Sequence, residues 1–127
     1  FIDYGHAESD VGETLQSVNE HAFADPLSAP GNADITAHVD FFIFGQAAES
    51  MGTAVQGPVT QAQFLRELGI DARADALRRG ASTEQAASIT AAVTRLTEGG
   101  RTGMGELFKV MALRDPKFDP LPGFAAA

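Results

Sequence analysis

The stretch Gly31-Asn32-Ala33-Asp34-Ile35-Thr36-Ala37-His38-Val39-Asp40-Phe41-Phe42-Ile43-Phe44 passes from a polar loop into an apolar helix, and its polar side chains crowd at the junction. Asp34, Thr36, His38 and Asp40 stand at every second position, so an extended approach points all four one way and Ile35, Ala37 and Val39 the other. From Phe41 the pattern changes. Four bulky apolar residues would fill the first helical turn, and small or polar residues follow up to Met51 and Gly52. This predicts a helix from about Asp40 to Met51 whose first turn is buried. Asp40 also occupies the position that caps such a helix, and Asp34 and Thr36 are residue types that make turn bonds. The junction therefore admits both a structural reading and a functional one.

Working outward, Phe1-Ile2-Asp3-Tyr4-Gly5 reads as a strand apolar on both faces, which belongs inside a sheet covered on both sides. It begins with Phe rather than Met, and too few strands follow to flank it. The expectation is a larger domain of which this chain is the C-terminal part. Glu13 to Val18 alternates as a second, partly exposed strand, and Asp25-Pro26 to Pro30-Gly31 is turn material. Beyond the junction, Thr53 to Gly57 predicts a short strand stopped by Pro58. Thr60 with Gln63 marks a helix start and Gly69 its end, and Asp71 is the expected cap of the next helix, closed by Gly80. Ser82 with Gln85 opens a third, whose Ala86, Ile89, Val93 and Leu96 follow the helical period. Leu107 to Leu113 returns to strand and reads as central. Strand, loop, helix, strand, helices, buried strand is the rhythm of an α/β fold, in which ligands sit at the carboxyl ends of the strands. That rule sets Asp3, Tyr4 and His6 beside the Asp34 to Asp40 approach.

The 127 residues carry a net charge of −8 and 44% hydrophobic residues, enough for one globular core. Residues 1 to 65 contain nine carboxylates and no Lys or Arg, giving −9, whereas the rest of the chain sums to +1. A field of that sign repels phosphate backbones and attracts cations, so the expected partner is a basic peptide or a guanidinium and not nucleic acid. No apolar run reaches the roughly 20 residues of a membrane span, and no membrane partner is expected. Without cysteine there is neither a disulfide framework nor a thiolate metal site.

No P-loop, GxGxxG, nucleophile elbow or HExxH is present. His6, His21, His38 and Asp40 are suitable metal ligands, but no pair has a zinc-motif spacing, and no metal is expected. Carboxylates are the more informative group. A planar guanidinium is oriented by paired carboxylates, so Asp3 with Asp34 or Asp40 could position an arginine nucleophile, and His6 could take its proton near neutral pH.

Asp3-Tyr4-Gly5-His6, Gly12-Glu13-Thr14-Leu15-Gln16, Pro30-Gly31, Ala33-Asp34-Ile35-Thr36-Ala37-His38-Val39-Asp40-Phe41, Gly57-Pro58 with Gln61, Leu68-Gly69-Ile70 and Met104-Gly105 follow one another in this order. Together they resemble the C-terminal part of the MidA-like S-adenosylmethionine-dependent methyltransferases, a family that includes a mitochondrial complex I assembly factor acting on a protein arginine. The resemblance implies the C-terminal part of a class I, Rossmann-like methyltransferase fold with an added helical segment. Residues 1 to 127 would be one fragment of a single domain, holding strands five to seven and the substrate side, with the cofactor-binding half absent. S-adenosylmethionine would be bound mainly by that half, and no cofactor-binding residue is assigned here. Asp3, His6, Asp34 and Asp40 would form the catalytic edge, with Tyr4, Thr36 and His38 touching substrate. Expected partners are a protein with a basic, arginine-bearing segment and the missing N-terminal half, and a homo-oligomer is left open. The location would be bacterial cytoplasm, or the mitochondrial matrix in a eukaryote. The alternative is a non-catalytic protein-binding or assembly module that uses the acidic face.

Overall fold

A computed structural model describes residues 1–19, 22–28, 31–100 and 103–124. His21 and Pro30, both singled out above, lie outside them. In chain order the elements are β1 (Ile2–His6), β2 (Gln16–Asn19), β3 (Ala22–Ala24), β4 (Asp34–Thr36), β5 (Val39–Asp40), α1 (Phe41–Ser50), β6 (Ala54–Thr60), α2 (Gln61–Glu67), α3 (Ile70–Arg78), α4 (Thr83–Thr97) and β7 (Phe108–Arg114). They form a four-stranded sheet of order β5-β1-β7-β6 and a separate three-stranded sheet of order β3-β2-β4.

As its apolar run predicts, β7 is central: it lies between β1 and β6, antiparallel to both, and its Val110 and Met111 are buried. Phe41 buries against the same sheet. Helix α1 approaches closely because Gly45 presents no side chain there; a Cβ at that position would lie 3.2 Å from the Met111 side chain. The first turn of α1 is not wholly buried, however. Phe41 is 1% exposed, but Phe42 and Ile43 are 45% and 53% exposed, because one turn presents only part of its circumference to the sheet.

Strand β1 pairs with β7 at Ile2, Asp3 and Tyr4 and with β5, in parallel, only at Gly5 and His6. Its N-terminal half therefore has an open edge among the described residues, and Phe1 and Ile2 are exposed where burial on both faces is expected. Three further expectations change. The second strand starts at Gln16 rather than Glu13, and β3 joins it as an unforeseen neighbour. Pro58 does not stop β6, which continues to Thr60 through a register shift between Gln56 and Val59 that leaves the proline outside the ladder. Helix α3 has no side-chain cap: left-handed Gly69 precedes it and Asp71 sits within its first turn. Thr60 caps α2 through the Gln63 N–H, and Ser82 and Gln85 form the full reciprocal cap of α4. The expected apolar stripe, Ala86, Ile89, Val93 and Leu96, is the half-buried face of α4.

Candidate active site

The junction is where two sheets part. Asp34 and Thr36 pair with Val18 and Gln16 in the small sheet, whereas Asp40 pairs with His6 in the large one. Ala37 and His38 form the step between them. The alternation in the sequence is thus real on each side of the step but does not describe one continuous strand.

On the large sheet a compact group assembles at the carboxyl end of β1. The Nδ1 of His38 lies 3.2 Å from the Nε2 of His6, a hydrogen bond that requires one ring to donate and the other to accept. Tyr4, two residues before His6 on the same side of β1, stacks over His38 with centroids 6.4 Å apart and packs on Phe108 at 4.2 Å. The hydroxyl of Thr14 accepts the backbone N–H of His38 at 3.1 Å and holds the step in place. Asp40 accepts two bonds: from the Ile43 N–H at 3.0 Å, which makes it the cap of α1, and from the Ser9 hydroxyl at 2.7 Å.

Gly5 is what lets these strands meet. A Cβ there would run into the Val39 carbonyl and lie 2.6 Å from the Phe41 ring. The position admits no larger residue while β5 stays paired.

The electrostatics follow from these contacts. Burial, then the charges of His6 and Lys109, hold the pKa of the His38 imidazole below its ordinary value, which disfavours its protonated form. The Ser9 hydroxyl and then the Ile43 N–H hold Asp40 below the usual carboxylate range, so it stays anionic. Lys109 is itself lowered by burial while its ammonium donates to the Glu106 carbonyl.

Of the residues expected at the site, His6, His38, Tyr4 and Asp40 come together. Asp3 is exposed and accepts the adjacent Tyr4 N–H, on the opposite side of β1 from Tyr4 and His6. Asp34 and Thr36 belong to the small sheet. Ser9, Thr14, Phe108 and Lys109 were not expected as contributors. Ser9 and Thr14 lie 31 and 24 residues from their partners, a separation with no local pattern to reveal it.

The helix N-terminus nearest this edge, that of α1, has its N–H taken by the Asp40 carboxylate, which would repel an incoming anion. Among the described residues no group of three or more His, Cys, Asp or Glu is placed to hold a metal ion. No described helix is long and apolar enough to cross a membrane.

Residues 1–59 match the model of a family described as "Putative S-adenosyl-L-methionine-dependent methyltransferase". The chain is 35% identical over 127 residues to the mitochondrial protein arginine methyltransferase NDUFAF7 homolog of Drosophila melanogaster, covering 99% of this chain and 27% of that protein. It is 45% identical over 71 residues to protein arginine methyltransferase NDUFAF7 of Rattus norvegicus, covering 56% of this chain and 16% of that one. In structure it resembles a candidate methyl transferase from Burkholderia thailandensis solved with S-adenosyl-homocysteine bound. The TM-score is 0.78 at 29% identity, over 97% of this chain and 33% of the other. A second chain from that organism gives 0.83 at 30% identity, over 98% and 34%. The chain thus spans between a sixth and a third of the length of these relatives.

Proposed function

The chain belongs to the MidA-like family of S-adenosylmethionine-dependent methyltransferases, and from this premise we propose that it supplies the substrate-side edge of an enzyme that methylates a protein arginine. The observation that carries the proposal is the pairing of His6 with His38 beside an anionic Asp40 at the carboxyl end of β1. In an α/β sheet this end is the reactive one.

S-adenosylmethionine supplies the methyl group in such a reaction, and its binding falls to residues beyond these 127. The contribution of this chain is to orient and to accept a proton. Asp40, held as a carboxylate by Ser9 and Ile43, provides a fixed negative charge to align a guanidinium. His6, hydrogen-bonded to His38, is placed to take the proton that a newly methylated guanidinium releases. Tyr4, packed on Phe108 and stacked with His38, holds the His38 ring in place. Asp3, Asp34 and Thr36 stand further out, where they would contact the peptide flanking the arginine. The names of the curated relatives support a protein substrate and, for a eukaryotic source, the mitochondrial matrix. A bacterial source would place the protein in the cytoplasm.

The test uses the full-length protein and incorporation of labelled methyl groups into protein arginine. Asp40→Asn retains a cap for α1 but removes the charge, and His6→Gln removes the ionisable ring. Each should lower transfer about tenfold or more with little change in melting temperature. Undiminished transfer in both variants would leave the edge as scaffolding only.

A further inference from the structure

The β3-β2-β4 sheet differs from the rest of the molecule in what it presents. Its strands contact one another and barely touch the larger sheet or the helices. Val18 lies opposite both Phe23 and Asp34, and Gln16 lies opposite Thr36. Paired residues share a face, so these five side chains make one surface, with Ser17 buried on the other. On that surface Phe23 is 80% exposed and Asp34 is exposed, with Val18 as the floor between them. Two strand spacings separate the ring from the carboxylate, roughly 10 Å.

An exposed aromatic ring is normally a liability on a sheet with open edges. Here its surroundings carry one sign of charge. Residues 1 to 65 contain no Lys or Arg, and the two ion pairs among the described residues, Arg66–Glu98 and Arg78–Asp75, both lie beyond them. Asp34, the carboxylate on this surface, makes no ion pair among the described residues. We propose that this face binds an extended, arginine-bearing segment of a protein partner, flanking the arginine that is modified. This identification rests on the function proposed above. Successive same-side residues of an extended peptide are about 7 Å apart, so one guanidinium can lie on Phe23 while the next reaches Asp34. Cation–π stacking and a charge-assisted hydrogen bond then act together. The large sheet takes the reacting arginine, and the small sheet takes its neighbours.

The experiment measures fluorescence anisotropy of a labelled ten-residue peptide of alternating arginine and alanine on the full-length protein, with a glutamate-for-arginine peptide as control. Phe23→Ala and Asp34→Asn should each weaken binding about three- to fivefold and the double variant about tenfold or more. Added salt should weaken binding by the wild type, and the melting temperature and S-adenosylmethionine affinity should be unchanged. Equal affinity in the double variant, or equal binding of the glutamate peptide, would overturn the proposal. So would a lower melting temperature without loss of peptide affinity, which assigns the face to other residues of the same protein. Loss of a dimer in the variants would assign it to a second copy and overturn the proposal likewise. Methyl transfer is scored separately. Peptide binding that depends on Phe23 and Asp34 without any transfer by the wild type upholds this surface and removes the enzymatic reading. Transfer with unaltered affinity in the double variant does the reverse.

Discussion

Gly5 makes its contribution by having no side chain. The Phe41 ring and the Val39 carbonyl occupy the space a Cβ would need, and backbone cannot yield as a flexible side chain can. Gly5→Ala should cost about 1–3 kcal/mol by overpacking and should separate β5 from β1, moving Asp40 away from His6. Urea denaturation of the full-length protein checks the first effect, and loss of methyl transfer in the folded variant checks the second. His38 gives a pH prediction. Its proton is bound less readily in the folded protein than in the unfolded chain, where it titrates near 6.5. The unfolded state therefore takes up protons first, and the stabilisation present above pH 6.5 is lost as the pH falls through the depressed folded value. Between about pH 7.5 and 5.5 the wild type should lose more stability than His38→Gln, measured as the shift in urea midpoint. Equal losses would mean that the ring is not held neutral. At this scale the sequence was informative where spacing is local: alternation marked His38 and Asp40, and strand-end position marked Tyr4 and His6. It was silent on Ser9 and Thr14, because a hydroxyl whose partner lies 31 or 24 residues away looks like any other loop hydroxyl.

Elements were legible where a single short-range rule decides them. Ser82 with Gln85 and Thr60 with Gln63 gave two helix starts, the four-residue stripe gave the half-buried face of α4, and an apolar run gave β7 its central place. Rules failed where tertiary pairing overrides them, as in β6, which carries Pro58 because a register shift moves it out of the ladder. Helix α4 ends by a device that local sequence cannot display. Its last carbonyls are satisfied from elsewhere: the Met104 N–H bonds to Arg95, the Gly105 N–H to Glu98, and the Gln61 amide to Leu96 at 2.9 Å. Gln61 is 8% exposed, so its amide is there to serve that carbonyl. Gln61→Leu keeps the bulk but leaves the Leu96 carbonyl without that donor, which should cost about 1–3 kcal/mol. Chemical denaturation of the full-length protein should show this loss, with amide hydrogen exchange accelerated in the last turn of α4 more than in β7. A variant as stable as the wild type would mean that another donor moves in.

For the molecule as a whole, the sheet is set against the cofactor that the proposed function requires. The β1-β7-β6 arrangement, with β7 antiparallel at the centre, and the TM-scores of 0.83 and 0.78 describe a methyltransferase-like sheet. Yet the one parallel pairing among the described residues, β1 with β5, spans only two residue pairs. The edge of β1 from Ile2 to Tyr4 is open among the described residues, and an apolar groove of about 470 Å³ lies between β1, the central β7 and α2, lined by Phe1, Ile2, Val110, Leu113, Phe64 and Phe124. An open strand edge calls for another strand, and at the candidate site the α1 N-terminus that an anionic cofactor would use is taken by the Asp40 carboxylate. These two deficits lead to one prediction. The 127-residue chain by itself should give no heat of binding with S-adenosylmethionine in calorimetric titration, whereas the full-length protein should bind it. Because an unpaired strand edge invites self-association, the isolated chain should also sediment as more than a monomer at micromolar concentration. Micromolar cofactor binding by a monomeric isolated chain would show that a cradle forms from these residues alone. In that case Asp40, as the group that occupies the N-terminus of α1, would have to move aside, and Asp40→Ala should strengthen that binding rather than weaken it.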